Sequence, residues 1–314
     1  QPTPGVFDLI IVDEASQCGW QSLPLLYLAK KMIVVGDDQQ ISPQSVGINK
    51  DNVQALMNQF LSDFDQRDSF DTENSLFGHA RRRFPAPIVL REHFRCMPEI
   101  ISFSNNLCYQ ATPLIPLRQY PPQRLEPLIS KYISNGEREG SGQKVFNRIE
   151  AEAVVDSIIE CCKDERYNGK TMGVIVLQGK AQATLIDKLL LEKIDGKEIT
   201  AEDLYKTRKF LCGDPYSFQG DERQVMFISM VAARNEMIPA LTKPDFQKRF
   251  NVAASRAQDQ MFLFHSVPDG ELPDTCFRKK LLRHFMDPSS VIARALEDAE
   301  HLRELAHTAN RQNE

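Results

Sequence analysis

The sequence predicts an α/β fold in which a mostly parallel sheet is covered by helices on both faces. Two observations support this prediction. Apolar runs of strand length alternate with stretches of helical spacing along the 314 residues. These runs, such as residues 7–12 and 31–37, are hydrophobic throughout, which is typical of parallel strands buried on both faces. A chain of this length can form two domains of ordinary size.

The first part of the chain predicts a βαβ unit. Strands 7–12 and 31–37 flank a helical stretch at residues 21–30, and polar residues follow both strands. Residues 49–80 are predicted to be helical and solvent-exposed. The basic stretch 81–87 contains two prolines, so it is the best candidate for a hinge between domains.

A second series of alternating elements follows. Residues 112–143 contain several Pro and Gly and predict an irregular insertion with short strands. Residues 287–306 have the apolar spacing of an amphipathic helix, and residues 308–314 are a polar tail. The other predicted helices are 98–109, 147–162 and 181–191, and the other predicted strands are 173–177, 225–231 and 260–264.

The composition is that of an ordinary globular protein, with 42% hydrophobic and 26% charged residues. The net charge of -5 shows no basic excess, so contact with nucleic acid would need a local groove. The seven cysteines form no Cys-x-x-Cys pair, which favours reduced thiols, a cytoplasmic location and no zinc site. No apolar run approaches the roughly 20 residues of a membrane helix. We also expect no signal peptide.

Several polar residues could carry chemistry, and each also has a simpler interpretation. Asp13 and Glu14 follow the first strand, where one carboxylate could hold Mg²⁺ and the other could orient water. A bare Asp-Glu pair is more often a polar strand end. Gln40 offers a donor and an acceptor after the second strand, although it could lie in an ordinary surface loop. The Arg95 side chain suits phosphate oxygens, or it could be an exposed arginine at a helix start.

Four motifs occur in a fixed order along the chain, and together they favour the catalytic interpretation over the simpler one. They are Ile-Ile-Val-Asp-Glu-Ala-Ser-Gln at 10–17, Gly-Asp-Asp-Gln-Gln-Ile-Ser-Pro at 36–43, Phe-Gln-Gly-Asp-Glu at 218–222 and Arg-Phe-Asn-Val-Ala-Ala-Ser-Arg-Ala at 249–257. Together they resemble the motor of a superfamily 1 helicase, in the branch of the nonsense-decay RNA helicase and the DNA helicase–nucleases. The resemblance runs from about residue 7 to 266 and implies a RecA-like P-loop NTPase fold. No Gly-x-x-x-x-Gly-Lys-Ser/Thr loop occurs, so the chain looks like the C-terminal part of a motor.

The resemblance also implies a domain organisation. Residues 1–85 would be the C-terminal remnant of a first RecA-like domain, and residues 86–286 a second RecA-like domain that contains the irregular insertion. Residues 287–314 would form a C-terminal amphipathic helix and tail.

Roles at the nucleotide follow from the same resemblance. Asp13 would hold Mg²⁺, Glu14 would orient the attacking water, and Gln40 would sense the γ-phosphate of ATP. Arg95 and Arg256 would be two arginine fingers from one domain, reaching a single phosphate. The turn of the third motif would approach the nucleotide, with Gln219, Gly220 and Glu222 as binding residues.

The sequence evidence for residues that contact nucleic acid is weaker. Lys180 and Gln182 stand where relatives carry Arg-x-Gln, and Arg234 follows a strand as in the family. Two positions depart from the family pattern: Phe94 replaces Tyr, and Asp214 stands where Ser or Thr often contacts phosphate. The candidate nucleic-acid residues are Pro43, Ser104, Asn105, Lys180, Gln182 and Arg234.

The implied function is ATP-dependent translocation and unwinding along single-stranded nucleic acid, with 5′ to 3′ polarity. Residues 259–266 and 278–288 resemble large bacterial helicases that continue into a nuclease domain, which favours DNA over RNA. The expected partners are single-stranded nucleic acid and the missing N-terminal RecA-like segment, and the chain alone is expected to be inactive. The alternative is a non-catalytic RecA-like module that binds nucleic acid or protein.

Overall fold

The computed structural model describes residues 2–41, 49–118, 123–194 and 199–312. The chain forms two compact units, Gln1–Leu90 and Arg91–Glu314. None of the helices in these described ranges has the length and apolar character needed to cross a membrane. The three-part domain division implied by the motifs remains a prediction.

The first unit contains the predicted βαβ arrangement in a shortened form. Strand β1 (Ile10–Val12) pairs in parallel with β2 (Met32–Val34). A short 3₁₀ turn (Trp20–Ser22) and helix α1 (Leu25–Leu28) connect them. Helices α2 (Lys50–Phe60) and α3 (Leu76–Arg83) follow, so the helical prediction for residues 49–80 holds only at its two ends.

Capping residues explain where these two helices begin. The Asn49 side chain accepts hydrogen bonds from the backbone N–H groups of Asp51 and Asn52, and Ser75 accepts one from Gly78. A polar side chain before a helix satisfies donors that have no partner within the helix. Between the two helices the backbone forms a single 3₁₀ turn at Arg67–Phe70.

One face of the β1–β2 sheet is uncovered, which corrects the prediction that both strands are buried. Ile11 is 62% exposed and its register partner Ile33 is 48% exposed. Leu9 and Val35 are exposed on the same alternating pattern. In the described part of this unit no element shields these side chains, although their sequence is that of an interior strand.

The second unit is built on a parallel sheet of five strands in the order β5-β9-β8-β6-β7. Every pairing in this sheet is parallel, as predicted. The strands are β5 (Leu128–Tyr132), β6 (Met172–Val176), β7 (Leu211–Gly213), β8 (Arg223–Ala233) and β9 (Ala257–Ser266). A separate two-stranded pair consists of β3 (Glu92–His93) and β4 (Ile115–Pro116).

Helices cover both faces of this sheet, so the predicted layers are confirmed. One core joins alternate strand residues such as Met226 and Ile228 to the helices that carry Ile100 and Phe250. The other joins the intervening residues, such as Phe227, to the remaining helices. The helices are α4 (Pro98–Leu107), α5 (Arg148–Lys163), α6 (Lys180–Ile194), α7 (Pro244–Ala254), α8 (Phe277–Met286) and α9 (Pro288–Gln312).

The insertion predicted at residues 112–143 contains a strand of the main sheet. Among the described strands, β5 pairs with β9 alone and forms the edge of the sheet. Its sequence Leu-Ile-Ser-Lys-Tyr is half polar, because only one of its long sides is paired. The predicted C-terminal amphipathic helix is present as α9, whose Ala295 and Ala299 are buried where α9 contacts α4.

Candidate functional site

In the first unit the polar residues meet at the carboxyl ends of β1 and β2. The Ala15 backbone N–H donates to the Val35 carbonyl at 2.8 Å, and the Asp37 N–H donates to Ser16 Oγ at 3.4 Å. Parallel strands end at the same edge of a sheet, so the two motifs lie side by side. Within this unit the structure therefore brings the Asp13–Glu14 pair next to the turn that carries Gln40.

The backbone of Glu14 is strained. Its φ of 50° lies in the left-handed region, which is uncommon for a residue with a side chain. Its N–H donates to Asp13 Oδ1 at 2.8 Å, and its Oε2 accepts from Gln17 Nε2 at 2.9 Å. Strained backbone of this kind clusters at functional sites, because the rest of the fold must hold it in place.

The turn after β2 is organised by Asp37. Its two carboxylate oxygens accept from the Gln39 N–H at 2.9 Å and from Gln40 Nε2 at 3.2 Å. A side chain at Gly36 would place its Cβ 2.9 Å from the Phe77 ring, so the turn requires glycine there. Pro43 lies outside the described residues.

The carboxylates fit a magnesium ion that is held mainly by phosphate. Mg²⁺ in nucleotide enzymes is bound by one or two carboxylates plus phosphate oxygens and water. Asp13 is exposed at the strand end, as such a ligand must be. The described residues contain no cluster of three or more metal-binding side chains.

In the second unit, Arg95 and Arg256 converge on the loop that precedes β8. Arg95 Nε donates to Glu222 Oε2, and its Nη1 donates to the Ser255 carbonyl at 3.5 Å. Arg256 Nη1 donates to the Asp221 carbonyl at 3.3 Å. Both arginines thus contact the Asp221–Glu222 segment, and Arg95 also contacts Ser255. The fold brings Arg95 and Ser255 together although 160 positions separate them in the sequence.

The two arginines differ in exposure. The Arg95 side chain is 30% exposed, whereas Arg256 is only 1% exposed and also donates to the Val252 carbonyl at 3.3 Å. The structure therefore brings the two predicted fingers to one place but shows only Arg95 at the surface.

The turn formed by residues 218–222 is held against the sheet by Phe218. Phe218 is fully buried, and its ring lies so close to Gly173 of β6 that a Cβ there would be 2.9 Å away. Gly220 has a φ of +76° and is exposed. Positive φ without steric crowding means that the turn, not the packing, requires this glycine.

Glu222 is the centre of the cluster. Its second oxygen, Oε1, accepts from Gln258 Nε2 at 2.5 Å. The backbone N–H of Glu222 donates to Asp221 Oδ1 at 2.8 Å. Charge-assisted hydrogen bonds on both carboxylate oxygens fix its orientation.

Two residues beside Arg95 were missed by sequence reasoning. His93 Nε2 accepts from the Cys96 backbone N–H at 3.0 Å, so the ring closes the loop that carries Arg95. Burial, followed by the charge of Arg95, lowers the pKa of His93 to about 4, which keeps the ring neutral and able to accept. Burial raises the pKa of Cys96 to about 12, so its thiol is not an activated nucleophile.

The predicted nucleic-acid residues fall into two groups. Ser104 and Gln182 are fully buried, so in this arrangement neither can contact a nucleic acid. The Gln182 amide accepts from the Asn147 N–H and donates to Ser229 Oγ, which gives it a structural role. Asn105, half-buried, bonds both backbone groups of Leu114.

Lys180 and Arg234 lie at the surface. Lys180 is exposed at the first position of α6. Arg234 forms a two-pronged ion pair with Glu271, in which Nε donates at 2.9 Å. Of the candidates in the second unit, these two are accessible to a ligand.

Comparisons with known proteins identify the family. The AAA domain model matches residues 72–267, more than half of the chain, and the chain belongs to this family. The relatives identify it further as a superfamily 1 helicase of the branch that contains the Sen1 and nonsense-transcript-regulator helicases. Its sheet and flanking helices form a RecA-like fold.

Two curated relatives are similar over most of the chain. An uncharacterised ATP-dependent helicase of Mycoplasma genitalium is 25% identical over 275 residues, which cover 83% of this chain and 23% of that protein. The probable helicase senataxin of Homo sapiens is 25% identical over 269 residues, which cover 82% of this chain and 9% of that protein. The chain thus spans less than a quarter of the length of these relatives.

One solved structure shows a limited similarity to this chain. It is the C-terminal domain of a possible DNA helicase from Lactobacillus, with 14% identity and a TM-score of 0.36. The match covers 59% of this chain and 92% of that one.

Proposed function

We propose that this chain is part of the motor of an ATP-dependent helicase that moves along single-stranded nucleic acid. The observation that carries the proposal is the convergence of Arg95, Glu222 and Arg256, three residues that are far apart in the sequence. An ordinary surface arginine does not require hydrogen bonds to distant parts of the chain, as Arg95 forms with Glu222 and Ser255. Two guanidinium groups held in one place can stabilise the charge that develops on a transferred phosphoryl group.

The polar residues of the first unit support the same reaction. Asp13 would hold Mg²⁺, which neutralises phosphate charge when bound. Glu14 would orient and deprotonate the attacking water, and Gln40 would contact the γ-phosphate. The strained backbone of Glu14 and the ordered Asp37 turn support these roles, because both hold side chains at a fixed position.

In the second unit, Glu222 would keep Arg95 oriented before nucleotide binds. The guanidinium uses Nε for Glu222 and Nη1 for the Ser255 carbonyl. A phosphate oxygen would offer a stronger acceptor than a backbone carbonyl at 3.5 Å. Gln219 and Gly220 would border the nucleotide on the same loop.

A further segment of the same protein would complete the first unit. The uncovered face of the β1–β2 sheet presents Leu9, Ile11, Ile33 and Val35 to solvent. An apolar sheet face of this kind needs a cover. We assign the cover to an N-terminal RecA-like segment that also supplies the phosphate loop.

The proposed substrate is DNA in preference to RNA, contacted through Lys180, Arg234 and Pro43, with 5′ to 3′ movement. The net charge of -5 restricts such contacts to local surfaces. The proposed location is the cytoplasm, in keeping with seven free cysteines in the described residues. A non-catalytic module is the weaker alternative, since it would not need the strained Glu14.

The test is ATP hydrolysis by the full-length protein with and without single-stranded DNA or RNA. Glu14→Gln should lower turnover by about 10²- to 10⁴-fold, the usual loss for a positioned general base, and leave nucleotide affinity nearly unchanged. Glu73→Gln, which removes an exposed carboxylate of the same unit, is the matched control and should have no effect. Hydrolysis at the wild-type rate by Glu14→Gln would favour the non-catalytic module, and stronger stimulation by RNA would reverse the substrate assignment.

The 314-residue chain alone should not hydrolyse ATP above background. Its sequence lacks the phosphate loop whose backbone amides and lysine hold the β- and γ-phosphates. The measurement is phosphate release by the purified chain with single-stranded DNA. Release that disappears in Arg256→Ala would show that this chain is a complete ATPase.

A further inference from the structure

Arg118 links the two chain segments that contain the predicted arginine fingers. It follows β4, and β4 pairs with β3, after which Arg95 comes. Arg118 Nη1 donates to the Arg95 carbonyl at 2.6 Å, and its Nη2 donates to Asp259 Oδ1. Asp259 lies in β9, three positions after Arg256. One guanidinium therefore joins the backbone of one finger to the strand that follows the other.

The acceptor in β9 is itself held on two sides. Lys170 Nζ donates to the other oxygen of Asp259 at 2.9 Å. The Asp259 side chain is only 6% exposed, and those of Arg118 and Lys170 are each 23% exposed. Hydrogen bonds to a nearly buried carboxylate are screened little by solvent, so this triad is more rigid than a surface ion pair.

Neighbouring contacts restrict the same loop. The Met97 N–H donates to the Gln258 carbonyl at 3.0 Å, and Gln258 Nε2 binds Glu222. These bonds fix the loop beyond Arg95 and the carboxylate that Arg95 meets. Arg118 is the contact that fixes the carbonyl of Arg95 itself.

The geometry of an arginine suits both of the Arg118 bonds. Its planar fork presents two parallel donors, whereas a lysine ammonium is a single point charge. We infer that Arg118, held by Asp259 and Lys170, is a positioning residue that sets Arg95 against Glu222 for its action on the nucleotide. The inference rests on the proposed role of Arg95.

The first experiment tests the link in the 314-residue chain, without ATP. Because Arg95 Nε donates to Glu222, its Nε–H should give a protected cross-peak in a proton–nitrogen NMR spectrum, assigned by its loss in Arg95→Lys. Arg118→Gln should shift or broaden this peak. Arg166→Gln, which removes an exposed arginine paired locally with Asp164, is the control and should leave it unchanged. An unchanged peak in Arg118→Gln would overturn the inference.

The second experiment uses kinetics of the full-length protein. Arg118→Gln should lower kcat by about 10-fold, as expected for a misplaced catalytic group, with KM for ATP nearly unchanged. In an Arg95→Ala background the same change should have no further effect. Additive losses would mean that Arg118 acts on stability and not through Arg95.

The two experiments separate the inference from the proposed function. If Arg95→Ala alone left kcat unchanged, Arg95 would not be a finger, while the spectrum would still report whether Arg118 positions it. If Arg118→Gln did not fold, Arg118→Lys would replace it, since it keeps a positive charge near Asp259 but lacks the planar fork that holds both acceptors in fixed directions. Arg118→Lys with wild-type kcat and an unchanged peak would contradict the inference.

Discussion

At the scale of single residues, the buried carboxylate of Glu150 is the least expected feature of the second unit. Its Oε1 accepts from Ser229 Oγ at 2.6 Å and from the Val231 N–H at 2.8 Å, and its Oε2 accepts from Ser266 Oγ at 3.3 Å. Val231 has a φ of 66°, which is strained for a β-branched residue. Glu150 thus supports the irregular end of β8, just before the surface residue Arg234.

Glu150 should make the stability of the chain depend on pH. Burial raises its pKa from 4.5 to about 7, although hydrogen bonds from Ser229, Val231, Ser266 and the Met230 backbone partly oppose that rise. Because the folded pKa is above the unfolded value, the stabilising contribution is complete below about pH 4.5 and is lost as pH rises to about 7. The difference between the folded and unfolded pKa of Glu150 corresponds to about 3 kcal/mol of unfolding free energy. Glu150→Gln should remove this dependence of the unfolding free energy on pH (the pH slope). The measurement is urea unfolding at several pH values between 4.5 and 7.

A neighbouring glutamate provides the control. Glu152 lies two positions further along α5, and its side chain is 44% exposed in a local pair with Arg148. Glu152→Gln should leave the slope as it is in the wild-type chain. An equal slope in Glu150→Gln and wild type would show that other buried groups set the pH dependence.

At the scale of elements, the turn before β8 depends on Gly220. An alanine there would meet no atom within 4 Å, so the φ of +76° is the only obstacle to a side chain. A left-handed backbone costs roughly 1–2 kcal/mol for most residues and less for Asn. Gly220→Ala should lower the unfolding free energy by about 1 kcal/mol, and Gly220→Asn by less.

A second glycine separates stability from function in this test. Gly169 has a φ of +70° and equal free space, but it lies in the turn before β6. Gly169→Ala should reduce stability to a similar extent and leave ATP turnover of the full-length protein unchanged. Gly220→Ala should also reduce turnover, because the turn positions Glu222. Equal turnover in the two variants would mean that the Gly220 turn has no part in the site.

The elements that sequence predicted best are those with a strong apolar pattern. Strands β6, β8 and β9 are found where they were expected, since each is buried on both faces. β7 has only three residues, and β5 lies at an edge with polar side chains, so neither has a pattern that stands out. Helix α7 was not predicted either, although Pro244 at its start is a typical first residue.

The sequence could identify most residues of the candidate site but could not predict the contacts between them. Arg95, Glu222 and Arg256 were found by resemblance, whereas their meeting depends on the tertiary fold. Arg118 lies outside the motifs, and Asp259 entered only with residues 259–266, whose resemblance to large bacterial helicases assigns it no role. A positioning pair needs only the right distance between two side chains, so no sequence pattern marks it. Gln182 and Ser104 are predicted from the sequence to contact nucleic acid, although both are buried in the interior.

At the scale of the whole molecule, the two units differ greatly in their buried cores. The described residues of the first unit bury four apolar side chains completely or nearly so: Ala15, Ile41, Met57 and Leu76. The second unit has two extensive cores, one on each face of its sheet. Since burial of apolar surface is the main stabilising term, the first unit should open far more readily.

Limited proteolysis should therefore release the second unit intact. Every residue of 81–90 is exposed, and residues 84–90 form neither helix nor strand, so a protease can bind this segment without unfolding either core. Trypsin at Arg81, Arg82 or Arg83, or chymotrypsin at Leu90, should give a first stable product that starts between residues 82 and 91 and retains β5 to β9. Chymotrypsin should not cut after Phe84, because Pro85 follows it. Mass spectrometry of a digestion time course identifies that start. The variant Leu90→Ser should slow the chymotrypsin cut without changing the tryptic one. A first cut within α5, α6 or the five-stranded sheet would show that the second unit is not the stable body, and the large difference in core size would then have no consequence for local stability.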